Sequence, residues 1–194
     1  MNTDPLTELD AVNIRLENDG EAPVASLDED GFADVGKAQR VLREVSRTVQ
    51  TDGWAFNTDF DRKFTPNVDN EISLPSDTLY VRTAYTSAGL RIVERGRKLY
   101  NLDTNSYTFS QPVYLDICQM LDYGDLPAAA RHYVAVRSAR VYQARGTGAP
   151  QQNALTLEDE TRAEAAMKRA DLRARPRGFF RNPLEARKLI RRPM

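Results

Sequence analysis

The sequence predicts an α+β protein, mostly α: a bundle of about four helices with an inserted antiparallel β-meander and an extended basic C-terminal tail. Three observations carry that expectation. Apolar residues recur at helical spacing in both outer parts of the chain. Short runs with strand character, joined by hairpin-length turns, fill the middle. From Arg175 onward, prolines and arginines leave too little apolar mass for a core. The boundaries that follow are one domain over residues 1–174 and a basic extension over 175–194. Within the domain, helices are expected at about 5–19, 33–52, 126–146 and 156–174, and the β insert at about 54–110.

The first helix has a start signal in Thr3-Asp4-Pro5, where Asp4 can cap and Pro5 suits the first helical position. Leu6, Leu9, Val12 and Leu16 give its apolar stripe, and Asn18-Asp19-Gly20 ends it. Asn13 falls beside the stripe. A buried amide needs partners, so Asn13 is expected to hold the GEAPV turn that follows. The second helix buries Ala38, Val41, Leu42, Val45 and Val49, and Gly53 is placed to close it in a left-handed conformation. Trp54, the only tryptophan, follows at once. Trp54-Ala55-Phe56 alternates large and small like a half-buried strand, and Trp54 and Phe56 are expected to be core anchors where helices meet strands.

LYVRTAY, LRIVE and KLYNL are the strand candidates of the insert, with SAG and ERGR as turns. PVYLDICQML is either a buried strand or a linker. The third helix opens with Asp125 as cap and Pro127 in its first turn and stops at Gly146 to Pro150. The fourth starts near Thr156, which with Asp159 resembles a capping box. Its acids precede its bases, and Glu158–Arg162 and Glu164–Lys168 have the favourable i, i+4 order. Its apolar face is thin, so it is expected to lean on the bundle or on a neighbouring subunit.

Composition narrows the function. Of 194 residues, 41% are hydrophobic and 28% charged, the balance of a globular protein, and no apolar run is long enough for a membrane span. The acidic N-terminus lacks the basic and apolar segments of a signal peptide, so the expected place of folding is a cytoplasm. One cysteine, Cys118, and one histidine, His132, allow no disulfide within the chain and too few ligands for a structural zinc site. Cys118 sits in an apolar run and His132 on a helix, which reads as core and surface, not as a nucleophile pair. No glycine-rich phosphate loop is present. The sequence therefore offers no catalytic, cofactor-binding or metal-binding residues.

Charge is segregated although the net is near zero. Residues 1–36 hold ten carboxylates against Arg15 alone, and residues 161–194 hold eleven bases against three acids. A basic tail on a balanced body fits either a segment docked on an acidic protein surface or a nucleic-acid arm. The arm reading is the weaker of the two. Phe179 and Phe180 are adjacent, not spaced for base stacking, and the body has no DNA-reading motif.

Two stretches then resemble a known family. The first is LDAVNIRLENDGEAPVASLDEDGFADVGKAQRVLREVSRTVQTDGWAFN, with Asn13, Glu21, Pro23, Asp34, Gln50, Gly53, Trp54, Phe56 and Asn57 among the matching positions. The second is DYGDLPAAARHYVAVRSARVYQARGTGAP. Both are similar to tail tubular protein A, the head-to-tail adaptor of short-tailed bacteriophages, and the likeness covers roughly Leu6 to Leu172. The basic tail from Arg175 departs from the family pattern. The resemblance implies a structural virion protein without enzyme activity or cofactor. It implies a twelve-membered ring between the portal protein and the tail nozzle protein (tail tubular protein B), with the tail fibre nearby and genomic DNA passing through the lumen without sequence-specific binding. On that basis Arg175, Arg177, Phe179, Phe180, Arg181, Leu189 and Ile190 are expected at the portal interface. Arg131, Arg137, Arg140, Glu158 and Asp159 are expected between subunits, and Asp28, Glu29 and Asp30 on the channel wall.

Overall fold

The computed structural model describes residues 6–18, 20–27, 33–146 and 150–175. The fold is α+β and mostly α; the described residues form four α-helices and a small set of antiparallel strands. Helix α1 spans Glu8–Asn18, α2 Ala33–Gln50, α3 Ala128–Gly146 and α4 Pro150–Ala174. Strand β1 spans Thr58–Phe64, β2 Thr78–Thr83, β3 Ile92–Arg95, β4 Lys98–Asn101 and β5 Val113–Gln119.

Helix α1 is capped later than its sequence suggests. Thr7 is the cap: the Asp10 amide donates to Thr7 Oγ1 at 3.1 Å, and the Thr7 amide donates to Asp10 Oδ2 at 2.9 Å. This reciprocal capping box sets the start at Glu8, and Asp4 and Pro5 lie outside the described residues. At the other end, Gly20 at φ 83 closes the helix with Glu21 N–H donating to Leu16 O at 2.9 Å. Asn13 holds the following turn from both sides. Its amide donates to Val24 O at 3.0 Å, and Val24 N–H donates to its Oδ1 at 2.9 Å.

Helix α2 buries Val35, Ala38, Val41, Leu42, Val45 and Val49 against α1 and α3. Gly53 ends it at φ 73, as the sequence predicts. Trp54-Ala55-Phe56 is not a strand. The segment turns, with Asn57 N–H donating to Trp54 O at 3.2 Å, and the first strand begins at Thr58. Three residues of alternation are too few to separate a strand from a turn.

The insert differs from a simple meander in its strand order. The main sheet runs β1-β5-β2, and β3-β4 form a separate hairpin. The central strand is the Val113–Gln119 segment, which the sequence leaves open between strand and linker. It pairs antiparallel with β1 (Thr58 opposite Cys118) and with β2 (Val81 opposite Ile117). The chain thus leaves the sheet after β2, builds the hairpin, and returns through the middle. The insert reaches Gln119, beyond the expected limit near 110. Its hairpin turn places Gly96 at φ 58 and Arg97 at φ 59, the two-residue turn whose twist suits paired strands.

Helix α3 starts at Ala128, directly after Pro127, while Asp125 belongs to a separate 3-10 turn over Tyr123–Asp125. Helix α4 begins at Pro150, not near Thr156. Proline suits the first position of a helix, so Pro150 opens α4 as well as following the end of α3. The described residues gather into two hydrophobic cores. One gathers α1, α2, α3 and α4 around Leu16, Leu42, Trp54, Tyr142 and Met167. The other lies in the insert around Phe64, Ile72, Leu99, Leu115 and Ile117.

Candidate functional site

The two cores meet at a polar joint built from the end of α2, the turn after it and the end of β5. Gln50 is fully buried on the last turn of α2. Its amide donates to Leu121 O at 2.9 Å and to Ser46 Oγ at 3.1 Å, and its Oε1 accepts from Leu121 N–H at 2.8 Å. Asn57 completes the lock. Its amide donates to Gln50 O at 2.9 Å and Gln119 O at 3.1 Å, while its Oδ1 accepts from Trp54 N–H at 2.9 Å. The Asn57 carbonyl accepts from Gln119 N–H at 2.9 Å. Buried amides this fully satisfied fix one geometry, because every alternative leaves a donor or acceptor unpaired.

Gly53 is required at the joint for two reasons. Its φ of 73 is costly for a residue with a Cβ, and a Cβ there would run into the Tyr80 hydroxyl from β2. Trp54 is 6% exposed and belongs to the helical core. Its indole N–H donates to Val49 O at 2.6 Å, tying it back to its own helix, and its ring lies parallel to Phe56 at 6.5 Å. Phe56 is partly buried against the same core. Helix α4 reaches the joint through Asp171, whose Oδ1 accepts from Ala55 N–H at 2.6 Å and whose Oδ2 accepts from Arg175 Nε at 2.9 Å. Arg175, the one expected portal residue among the described positions, is thus anchored at the foot of α4.

Charge is drawn inside the helical half at a second place. Glu160 of α4 is 8% exposed and pairs with Arg140, and with Arg137 at 3.8 Å, both from α3. Arg137 Nη1 also donates to the Tyr133 hydroxyl at 2.6 Å. These two arginines, expected between subunits, are engaged within the chain. Glu158 and Asp159 point elsewhere: both bond Arg162, at 2.5 and 3.4 Å, on the exposed side of α4. Helical rotation explains the difference. Adjacent residues of a helix are 100° apart, so only Glu160 of the three acids faces α3. Arg131 lies apart from this set, with Nη1 donating to Leu6 O at 3.4 Å. The five expected interface residues do not form one patch.

Arg15 is the residue that sequence reasoning missed. It is fully buried, and its Nε, Nη1 and Nη2 have no hydrogen-bond partner among the described residues. Its guanidinium lies 4.8 Å from the centroid of the Tyr142 ring, and Lys37 Nζ lies 4.7 Å from the same centroid. Burial pulls the Arg15 pKa down to about 10, with the Tyr142 ring opposing. The ring quadrupole returns part of the lost hydration, but a cation–π contact of about 2 kcal/mol does not replace a carboxylate. The only sequence signal is that Arg15 lies one position from the apolar stripe of α1.

The remaining expected positions divide simply. Asp28, Glu29 and Asp30, and Arg177, Phe179, Phe180, Arg181, Leu189 and Ile190, lie outside the described residues. Cys118 is buried on β5, its thiol donating to Gln50 O at 3.4 Å, and burial pushes its pKa up. His132 is exposed on α3. A thiol raised by burial is a poor nucleophile, so this cysteine acts as part of the joint. Among the described residues no cluster of His, Cys, Asp or Glu could hold a metal, and no helix is long and apolar enough to cross a membrane.

A family model described as tail tubular protein matches residues 9–177, which takes in both cores and the joint between them. The chain is also 33% identical over 138 residues to the tail tubular protein A of Klebsiella phage KP34. That match covers 71% of this chain and 72% of its relative.

Proposed function

The chain belongs to the tail tubular protein family, a component of the phage tail, and from that premise we propose that it is the ring-forming adaptor between portal and nozzle. A structural role in the virion tail follows from family membership. The finer reading is that twelve copies close a ring beneath the portal protein, carry the nozzle protein below, and leave a lumen for the genome during ejection.

The observation that carries this reading is the division into two separately cored halves locked at one joint, where the buried Gln50 and Asn57 side chains have all their partners. An adaptor must present two different surfaces at a fixed angle, and such a lock holds that angle. The foot of α4 at Arg175 leads into the basic extension, whose Phe179, Phe180, Leu189 and Ile190 would supply apolar anchors and whose Arg177 and Arg181 would meet portal carboxylates. The loops of the insert, with Val68 and Tyr85 exposed, would face the nozzle and neighbouring tail fibre. Asp28, Glu29 and Asp30 would line the channel, where negative charge keeps DNA from adhering.

Sedimentation of the chain alone and with the portal of the same phage tests the reading. The expected result is a discrete larger species with portal, which is lost when the chain is truncated after Leu172. Separate migration, with salt-sensitive retention on DNA instead, would transfer the function to the basic extension as a nucleic-acid arm.

A further inference from the structure

Arg15 stands apart from the other buried charges of the described residues. Glu160 and Asp171 each meet an arginine. Arg15 is 0% exposed, and all three of its guanidinium nitrogens are without a hydrogen-bond partner among the described residues. No described carboxylate lies near enough to act on its charge; only Tyr142 does. Lys37 is a second cation at the same place. It is exposed, its Nζ stands 4.7 Å from the centroid of the Tyr142 ring, and it forms no ion pair among the described residues. Glu17 and Asp34, the nearest acids along α1 and α2, pair with neither cation. The place thus joins α1 through Arg15, α2 through Lys37 and α3 through Tyr142. It holds two positive charges and, among the described residues, no negative one. The ring quadrupole attracts a cation but carries no net charge, so it leaves both uncompensated.

We infer that Arg15, with Lys37 beside it, binds one small oxyanion of the phosphate class in the seam where α1, α2 and α3 converge on Tyr142. The guanidinium presents a planar fork of N–H donors that matches two oxygens of such an ion, and none of its nitrogens is committed elsewhere among the described residues. Lys37 lends a second charge from the exposed side and strengthens the site without having to touch the ion. The size of the ligand follows from burial. Arg15 has no exposed surface, so neither a nucleic-acid backbone nor a helix of a second copy can reach it. Only a small ion can enter, as the helices open locally. Arg15 stays charged at neutral pH even with its pKa lowered to about 10 by burial. In a low-dielectric seam a charge-assisted contact is stronger than at the surface. The ion offsets the burial of Arg15 and ties together three helices of one subunit, whether or not that subunit closes a ring.

The test is urea unfolding of the full-length chain at fixed pH and ionic strength, with chloride replaced stepwise by inorganic phosphate and Trp54 fluorescence reporting on the helical core. A single site present only in the folded chain should raise the folding constant about elevenfold when phosphate reaches about ten times its Kd. Phosphate also stabilises folded proteins in general, so the readout is the difference between chains, in which every effect they share cancels. Arg15→Met should keep only the general effect. Lys37→Gln should bind phosphate about threefold more weakly or worse. Lys37 is exposed, so this variant decides the test by itself if Arg15→Met does not fold. In chloride alone Arg15→Met should be the more stable chain, and phosphate should narrow or reverse that order. Equal gains from phosphate in the natural chain and either variant would overturn the site. Hydrogen exchange locates the ion independently. Phosphate should slow the amides around Arg15, Lys37 and Tyr142 more than those of β3 and β4, and slowing spread evenly over both regions would place the effect elsewhere and overturn the inference.

Discussion

The helical half and the β insert hold themselves together in different ways. The core of the insert is wholly apolar, and its buried polar residues are uncharged: Thr58, Ser87 and Asn101, with Asn57 at its edge. The helical half buries Arg15, Glu160 and Asp171. Two of these charges meet arginine partners, and the third lies over a tyrosine ring. An apolar core tolerates small changes in shape, whereas a buried charge demands one arrangement of its partners. The half proposed to form the ring is therefore the one whose helix positions are specified electrostatically. The half proposed to meet the nozzle is a self-contained platform.

The largest effect should come from removing the lock between the halves. Asn57→Ala removes a donor from Gln50 O, which keeps Gly53 N–H and the Cys118 thiol, and takes the side-chain partner from Gln119 O and Trp54 N–H, at a cost of about 2–3 kcal/mol. Urea unfolding should then show two transitions in place of one, with Trp54 fluorescence following the helical half. Next comes the seam between α3 and α4. Glu160→Ala leaves Arg137 and Arg140 facing each other without their acid and should cost about 2 kcal/mol, reduced because both arginines are about one-third exposed. Limited proteolysis should release α4 first, with the insert intact.

Arg15→Met should move in the opposite direction. It replaces a buried guanidinium that has no hydrogen-bond partner among the described residues by an apolar chain of similar length and should stabilise the helical half by about 1–2 kcal/mol, read as a higher melting temperature. The smallest effect belongs to the insert. Arg97→Gly relieves a left-handed φ of 59 in the hairpin turn and should stabilise it by roughly 1 kcal/mol, visible as slower exchange of β3 and β4 amides.

Some of this was legible in the sequence, and the reasons differ by element. Helix α2 announces itself through a clean apolar face and a closing Gly53, and Asn13 through its place beside a stripe. Strand β1 was invisible because five of its seven residues are exposed, including Phe60, and a bulge near Asp61 breaks its alternation. Strand β5 is buried along much of its length, but VYLDICQ breaks its apolar run with Asp116 and is too short for its period alone to separate a strand from a linker. The start of α4 at Pro150 is hidden in the sequence because Pro150 reads equally as a stop and a first residue. Among the site residues, sequence spacing shows which side chains share a face of one helix, but not which face meets another helix. That is why the pairing of Glu160 with Arg137 and Arg140, and the burial of Arg15, have no signature in spacing alone. The hub at Gln50 and Asn57 was carried only by family resemblance, since a glutamine and an asparagine seven residues apart have no periodicity to read.

Native-state hydrogen exchange of α2 and β5 amides, compared between the natural chain and Asn57→Ala, is the most direct test of the joint. The lock predicts that both elements of the natural chain exchange through one opening of equal free energy. In the variant, β5 should exchange at least tenfold faster than α2. If β5 and α2 already open separately in the natural chain, or still open together without Asn57, the two halves are not held by this joint and the fixed angle between them loses its physical basis.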